Sequence, residues 1–145
     1  MRKLLVLFLA LIASACSMVG LGETPSQLEI TEYGIFDKGV LVRQTEGVAR
    51  ELGLSFGFRV KVKDPKSGPV KVVITTATPG LLDPSKPKVQ MDFVTQATFQ
   101  PGETYDVFFT FSEPWEMVAG KWVLTVETDK GEVVSRTFDV YNPKL

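Results

Sequence analysis

The sequence predicts an all-β fold: a two-sheet antiparallel β-sandwich, immunoglobulin-like, with seven or eight strands. Three observations carry that expectation. Apolar residues recur at every second position through several segments, the period of a strand with one buried and one wet face. Clusters of Pro, Gly, Asp and Ser separate those segments as turns do. No alternation of strand and helix patterns runs through the chain, so two antiparallel sheets packed face to face are the arrangement that buries every apolar face. A small closed barrel is the alternative built from the same pattern. The cysteine pair of immunoglobulin domains is missing, so the expectation rests on pattern.

Each element follows in order. In residues 28–35, Leu28 and Ile30 share one phase while Tyr33 and Ile35 share the other, which predicts a bulge near Glu32. Residues 41–44 form a weaker strand. Residues 48–52, VAREL, hint at a helical turn too short to pack as a layer. Residues 54–63 are the clearest: Leu54, Phe56, Phe58, Val60 and Val62 point one way, and Ser55, Gly57, Arg59, Lys61 and Lys63 the other. The turn DPKSGP leads into residues 70–76, with Val70, Val72 and Ile74 in phase. Residues 89–99 make another strand, its phase broken near Phe93 and Val94. After the turn PGET, Tyr105, Val107, Phe109 and Phe111 alternate, leaving Phe108 on the other face beside Asp106 and Thr110. Trp122, Leu124 and Val126 mark the next strand, and DKGE turns it back into Val134, Phe138 and Val140 as a hairpin. Arg136 interrupts that last inward phase, which predicts a bulge or an edge position there.

The first residues are of another kind. Arg2 and Lys3 precede the unbroken apolar run LLVLFLALI, and Ala13, Ser14 and Ala15 follow it. This is the pattern of a secretory signal, shorter than the ~20 apolar residues of a spanning helix. Ala13 and Ala15 suit an ordinary signal peptidase. Small residues followed by Cys16 also resemble a bacterial lipobox, although Ala13 stands where Leu is usual and Ile12 lies one step back. Cys16 is the chain's one cysteine, and an unpaired thiol in an oxidising compartment needs a purpose; thioether attachment to lipid supplies one. By resemblance to proteobacterial sorting signals, Ser17, rather than Asp at that place, favours the outer membrane for such a lipoprotein. The expectation is therefore a signal peptide over residues 1–15, a lipidated N-terminus and flexible tether over 16–27, and one β-sandwich domain over 28–145. The protein would be exported and anchored to the outer membrane, facing the periplasm; soluble periplasmic or secreted protein is the alternative.

Composition excludes several classes of chemistry. Without the leader, 14 basic residues stand against 17 acidic ones, so the formal net charge moves from -1 to -3. No basic tract or aromatic-basic interleaving is present, so no nucleic-acid partner is expected. Histidine is missing altogether, which removes Ser-His-Asp and Cys-His sites and His-ligated zinc or haem. No phosphate-binding Gly loop or Ca²⁺-loop pattern occurs, and no metal site or cofactor is expected. Carboxylates remain: Asp83, Asp92, Asp106, Glu113 and Glu116 could supply an acid-base pair of the glycosidase kind if two of them faced each other across a cleft.

Possible binding residues are Tyr33, Leu81, Leu82, Phe108 and Trp115. Trp115 sits in SEPWEM, after a proline and between acids, at a strand end. Phe108 faces away from its neighbours' apolar row, and Tyr33 lies with Phe36 near the first bulge. Residues 79–88, PGLLDPSKPK, carry three prolines that stiffen the loop around Leu81 and Leu82. Each has a plainer reading: Trp115 plugs one end of the sandwich, Phe108 sits under a loop, and one Leu caps the core. Trp122, in phase with Leu124 and Val126, reads as core.

The segments EITEYGIFD, ARELGLSFGFRV, PGLLDP and FSEPWEMVAGKWVLTV run in order across residues 29–126. In that order they resemble a bacterial family of exported domains of unknown function, the one numbered 3859. The loop between the first two strands is often longer in that family. The resemblance implies an exported small β domain and brings no activity, ligand or catalytic residue. The function expected is thus that of a non-catalytic cell-envelope lipoprotein, a binding, structural or assembly accessory held to the membrane by lipid, with an envelope protein or glycan as partner. The alternative is a small carboxylate-dependent hydrolase acting on envelope glycan.

Overall fold

A computed structural model describes residues 26–143. The leader, Cys16 and all but the last two residues of the expected tether lie outside the described residues. Nine strands follow one another: β1 (Leu28–Asp37), β2 (Val40–Arg43), β3 (Gly47–Ala49), β4 (Ser55–Val62), β5 (Val70–Leu81), β6 (Gln90–Phe99), β7 (Thr104–Thr110), β8 (Gly120–Thr128) and β9 (Val133–Tyr141). One 3-10 turn, Pro114–Glu116, lies between β7 and β8. Among the described residues no helix is long and apolar enough to cross a membrane.

The strands form a sandwich of a four-stranded sheet, β2-β1-β4-β7, and a five-stranded sheet, β3-β9-β8-β5-β6. The protein is all-β and immunoglobulin-like. Period-two patterning is the cause. Phe56, Phe58, Val60 and Val62 of β4 are buried, and Trp122, Leu124 and Val126 of β8 face them across the gap. Among the described residues seventeen hydrophobic side chains are buried. Sixteen of them form one core, so neither sheet could keep its inner face dry without the other.

The seven long strands run between the same two ends. The lower end holds Ser26, the start of β1 and the turns at residues 63–69, 100–103 and 129–132. The upper end holds the β1–β2 hairpin, residues 50–54, the loops at 82–89 and 111–119, and the end of β9. At the lower end the Glu132 carboxylate accepts hydrogen bonds from the Ser26 hydroxyl (2.5 Å) and from the amides of Gln27 (2.8 Å) and Leu28 (3.1 Å). The β8–β9 turn thereby fixes the point where the chain enters the fold.

Several expectations are met and several are corrected. The register of β1 against β4 shifts between Ile30 and Glu32, the place where the two phases collide. Trp122 is fully buried, and its indole N–H donates to the Val118 carbonyl at 3.0 Å. Among the described residues the strand count is nine, because the weak strand expected at residues 41–44 is present as β2 and the unexpected β3 joins it. Residues 47–49 are not part of a helical turn. They form β3, parallel to β9, and bury Val48 completely; the open edge of β9 outweighs any local helical preference. β5 continues five residues past Thr76, so Pro79, Gly80 and Leu81 belong to a strand and the loop begins at Leu82. The phase of β6 is unbroken opposite β5, and the register shift lies in β5 between Ala77 and Leu81. No bulge occurs at Arg136, whose pairing with Leu124 is regular. Only residues 139–141 of β9 are covered by β3, so Arg136 does lie on an open edge.

Candidate functional site

The upper end is assembled from residues that finish strands without finishing the surface. Thr78 is buried, and its hydroxyl donates to the carbonyls of Gln90 (3.0 Å) and Met91 (3.2 Å) while accepting the Gly80 amide (3.1 Å). This stitches β5 to β6 where their register slips. Leu81 then turns inward with 0% exposure, while Leu82 is 60% exposed. Asp83 holds the next turn by accepting the Ser85 amide (2.9 Å) and hydroxyl (2.7 Å). Those bonds, with Lys86 nearby, hold its carboxyl below the usual value. Pro84 and Pro87 fix φ on either side of the exposed Lys86, and Val89 and Met91 emerge with their side chains in water.

The neighbouring loop is pinned from three sides. Pro114 opens the 3-10 turn, and the Glu116 carboxylate accepts the amides of Ser112 (2.7 Å) and Glu113 (3.0 Å). Trp115 lies half-buried against the core. Arg50 donates to the Met117 carbonyl and to the Asn142 side chain, tying the loop to the end of β9. Pro79 packs on Gly120, whose positive φ (134°) and lack of side chain let β5 and β8 approach there.

Phe108 and Tyr33 lie elsewhere. Phe108 is on the outer face of the four-stranded sheet, stacked on Phe36 with ring centroids 4.2 Å apart. Arg59 covers both rings, its guanidinium carbon 5.1 Å from the Phe36 centroid and 5.9 Å from that of Phe108. Arg59 is itself held by Glu32 and Asp106, each at 2.8 Å, and by the Gly39 carbonyl. The cluster lies over Gly57, where a side chain would strike the Val107 carbonyl. Tyr33 faces inward at the seam between β1 and β9, with the Arg136 guanidinium carbon 3.8 Å from its ring centroid and Gln44 donating to its hydroxyl at 3.3 Å.

The five residues singled out by sequence therefore do not share one surface. Leu81 is a correction: it is core, because β5 extends far enough to turn it inward. Trp115 and Tyr33 back the core at two places, and Phe108 belongs to a covered outer-face cluster. Leu82 alone is a large exposed apolar side chain. Its exposed neighbours at the upper end are Val89 and Met91, with Leu52 in the 50–54 segment, and none of them is among the five residues singled out by sequence. Val89 and Met91 share a phase directly after a Pro-Lys-rich loop, a signal that could have found them.

Three of the five candidate acids have structural duties. Asp106 pairs with Arg59, Glu116 caps the 3-10 turn, and Asp83 orders a loop. Among the described residues no group of three or more His, Cys, Asp or Glu side chains is placed to hold a metal ion.

A family model for a domain of unknown function, DUF3859, matches residues 24–140. Among solved structures, the chain is similar to an immunoglobulin-like protein from Pseudomonas aeruginosa, with 28% identity and a TM-score of 0.66 over 80% of this chain and 98% of that one. A β-glucosidase from Listeria innocua aligns with 14% identity and a TM-score of 0.39, over 81% of this chain and 16% of the enzyme. A β-glucosidase from Erythrobacter marinus aligns with 12% identity and a TM-score of 0.38, over 79% of this chain and 15% of the enzyme. Similarity at that level says nothing about what this chain does. No curated protein matches it.

Proposed function

The chain belongs to the DUF3859 family of domains of unknown function, and from that premise we propose that it is a non-catalytic accessory of the bacterial cell envelope, tethered by lipid on Cys16 and binding an envelope protein or glycan at its upper end. An immunoglobulin-like domain suits that role, since its end loops present contact residues on a rigid frame. One observation carries the reading. Leu52, Leu82, Val89 and Met91 are exposed at the end opposite the one where residue 26 enters the fold. Apolar side chains left in water on a proline-stiffened loop are a mark of contact surfaces. A tether joined to the lower end leaves that surface pointing away from its anchor. The leader pattern and the lone Cys16 support export and lipidation, and the resemblance of Ser17 to sorting signals supports the outer membrane facing the periplasm.

Fatty-acid labelling and fractionation of the full chain test the anchor. Cys16→Ser is expected to lose the label and move to soluble fractions; continued membrane partitioning of that variant would overturn lipid attachment. Cross-linking in intact cells tests the surface. A photo-reactive residue at position 82 is expected to capture a defined envelope component, and one at position 130, in the lower turn, is not. Equal capture from both positions would sink the polarity of the reading.

A further inference from the structure

The four sheet edges are unequal. β2 and β3 are four and three residues long, too short to template another strand, and the stretches of β1 and β9 that they leave uncovered meet at the seam where Arg136 covers Tyr33. β7 is seven residues long, and its exposed residues are Thr104, Asp106 and Thr110, all polar. β6 is ten residues long, QMDFVTQATF, without proline and with Asp92 as its one charge. Its exposed side chains include Met91 (56%) and Val94 (59%). Natural edges of that length usually carry lysines, prolines or a bulge that block pairing. Here the one irregularity lies in β5, which leaves β6 regular.

We propose that β6 is a self-association edge, on which a second copy of this chain adds its own β6 antiparallel to make a continuous ten-stranded sheet. A two-fold axis normal to the sheet must centre on one residue, because paired side chains share a face. Centred on Val94, Thr95 or Gln96, the register sets Asp92 of one copy opposite Gln96, Thr98 or Gln100 of the other. No like charges meet in any of these registers. The charges beyond the strand are complementary. Lys86 and Lys88 precede β6 at the upper end, and Glu103 follows it at the lower end. Antiparallel pairing brings the lysines of each copy to the glutamate of its partner. Parallel pairing would oppose lysines to lysines, so the charges select the antiparallel dimer. The inference stands on the edge alone and does not depend on lipidation or on the upper-end surface.

The test uses the full chain. Val94→Cys, Thr95→Cys and Gln96→Cys are made separately, each keeping Cys16, and exposed to a mild oxidant. One of the three, the one at the axis, is expected to give a disulfide-linked dimer that the parent does not. Sedimentation of the parent is expected to show a reversible dimer. Glu103→Lys and the pair Val94→Lys/Gln96→Lys should each raise its dissociation constant by about tenfold or more. A single-chain mass at every concentration, no cross-link from any of the three positions, or a dimer indifferent to both charge variants would each overturn the proposal. Native-like circular dichroism of the lysine variants separates lost pairing from lost folding.

Discussion

The two ends of the sandwich are filled by different side chains. Toward the lower end the core is mostly aliphatic: Leu28, Val60, Val62, Val72 and Val126, with the stacked pair Phe99 and Tyr105 at 4.1 Å. Toward the upper end it is aromatic: Phe56 packs against Trp122 at 5.7 Å, Phe111 at 5.4 Å and Phe138 at 5.3 Å, mostly edge to face. The lower end is finished by hydrogen bonds to its own chain, through Glu132. The upper end completes its core and still has apolar side chains left over, on loops held by Thr78, Asp83 and Glu116. Loop order and an apolar surface can therefore coexist: the polar residues fix the backbone, and the exposed ones are free to touch something else.

The contrast can be broken most sharply in the core. Trp122→Ala should cost about 3–5 kcal/mol, since the cavity opens beneath the rings of Phe56, Phe109 and Phe111 and orphans the Val118 carbonyl. Val62→Ala, at the other end, removes two methyl groups and should cost about 1.5 kcal/mol at about 0.8 per buried carbon. Urea unfolding measures both. Equal costs would mean that the aromatic half is no more tightly packed than the aliphatic half.

Glu132 comes next. Burial alone would raise its pKa, but the bonds from Ser26, Gln27 and Leu28, with Lys63 nearby, hold it below its ordinary 4.5. A folded value below the unfolded one means that the contribution is complete above about pH 4.5. It is lost as pH falls through the folded value. Glu132→Gln should cost about 1 kcal/mol at neutral pH. Protection of the Gln27 and Leu28 amides, relative to their intrinsic exchange rates, should fall in acid in the parent, with that acid step missing from the variant. An identical acid step in both would show that another group controls the entry of the chain.

The smallest effect is expected at the upper surface. Leu82→Ser and Met91→Ser should leave stability within about 0.5 kcal/mol, because neither side chain is covered. A larger loss in thermal unfolding would show that these side chains support the fold after all.

The sheets were legible because period two is a local signal. Phe56, Phe58, Val60 and Val62 announce their face without reference to anything else, and the clash of phases around Glu32 announced its bulge. β3 was not legible, because its three residues are a strand only against the free edge of β9, which is ninety residues away in sequence. The prolines around Leu81 give its stretch the look of a loop. Its burial depends on a register slip against β6, bridged by the Thr78 hydroxyl. The outer-face stack of Phe36 and Phe108 needs Gly34, Gly57 and Phe108 side by side on three strands, a pairing no single stretch encodes. The exposed set at the upper end was half visible: Leu82 stood out, but the exposure of Met91 is set by where β6 ends.

The clasp at Glu132 has a mechanical consequence. Tension applied through the residues ahead of Ser26 enters the domain at the foot of β1 and acts along that strand. β1 is bonded to β4 from Leu28↔Val62 to Phe36↔Ser55, and those bonds run across the direction of pull. The load is thus borne in shear by many bonds together and cannot open them one after another. A protein hung by this thread would therefore resist being drawn out of shape.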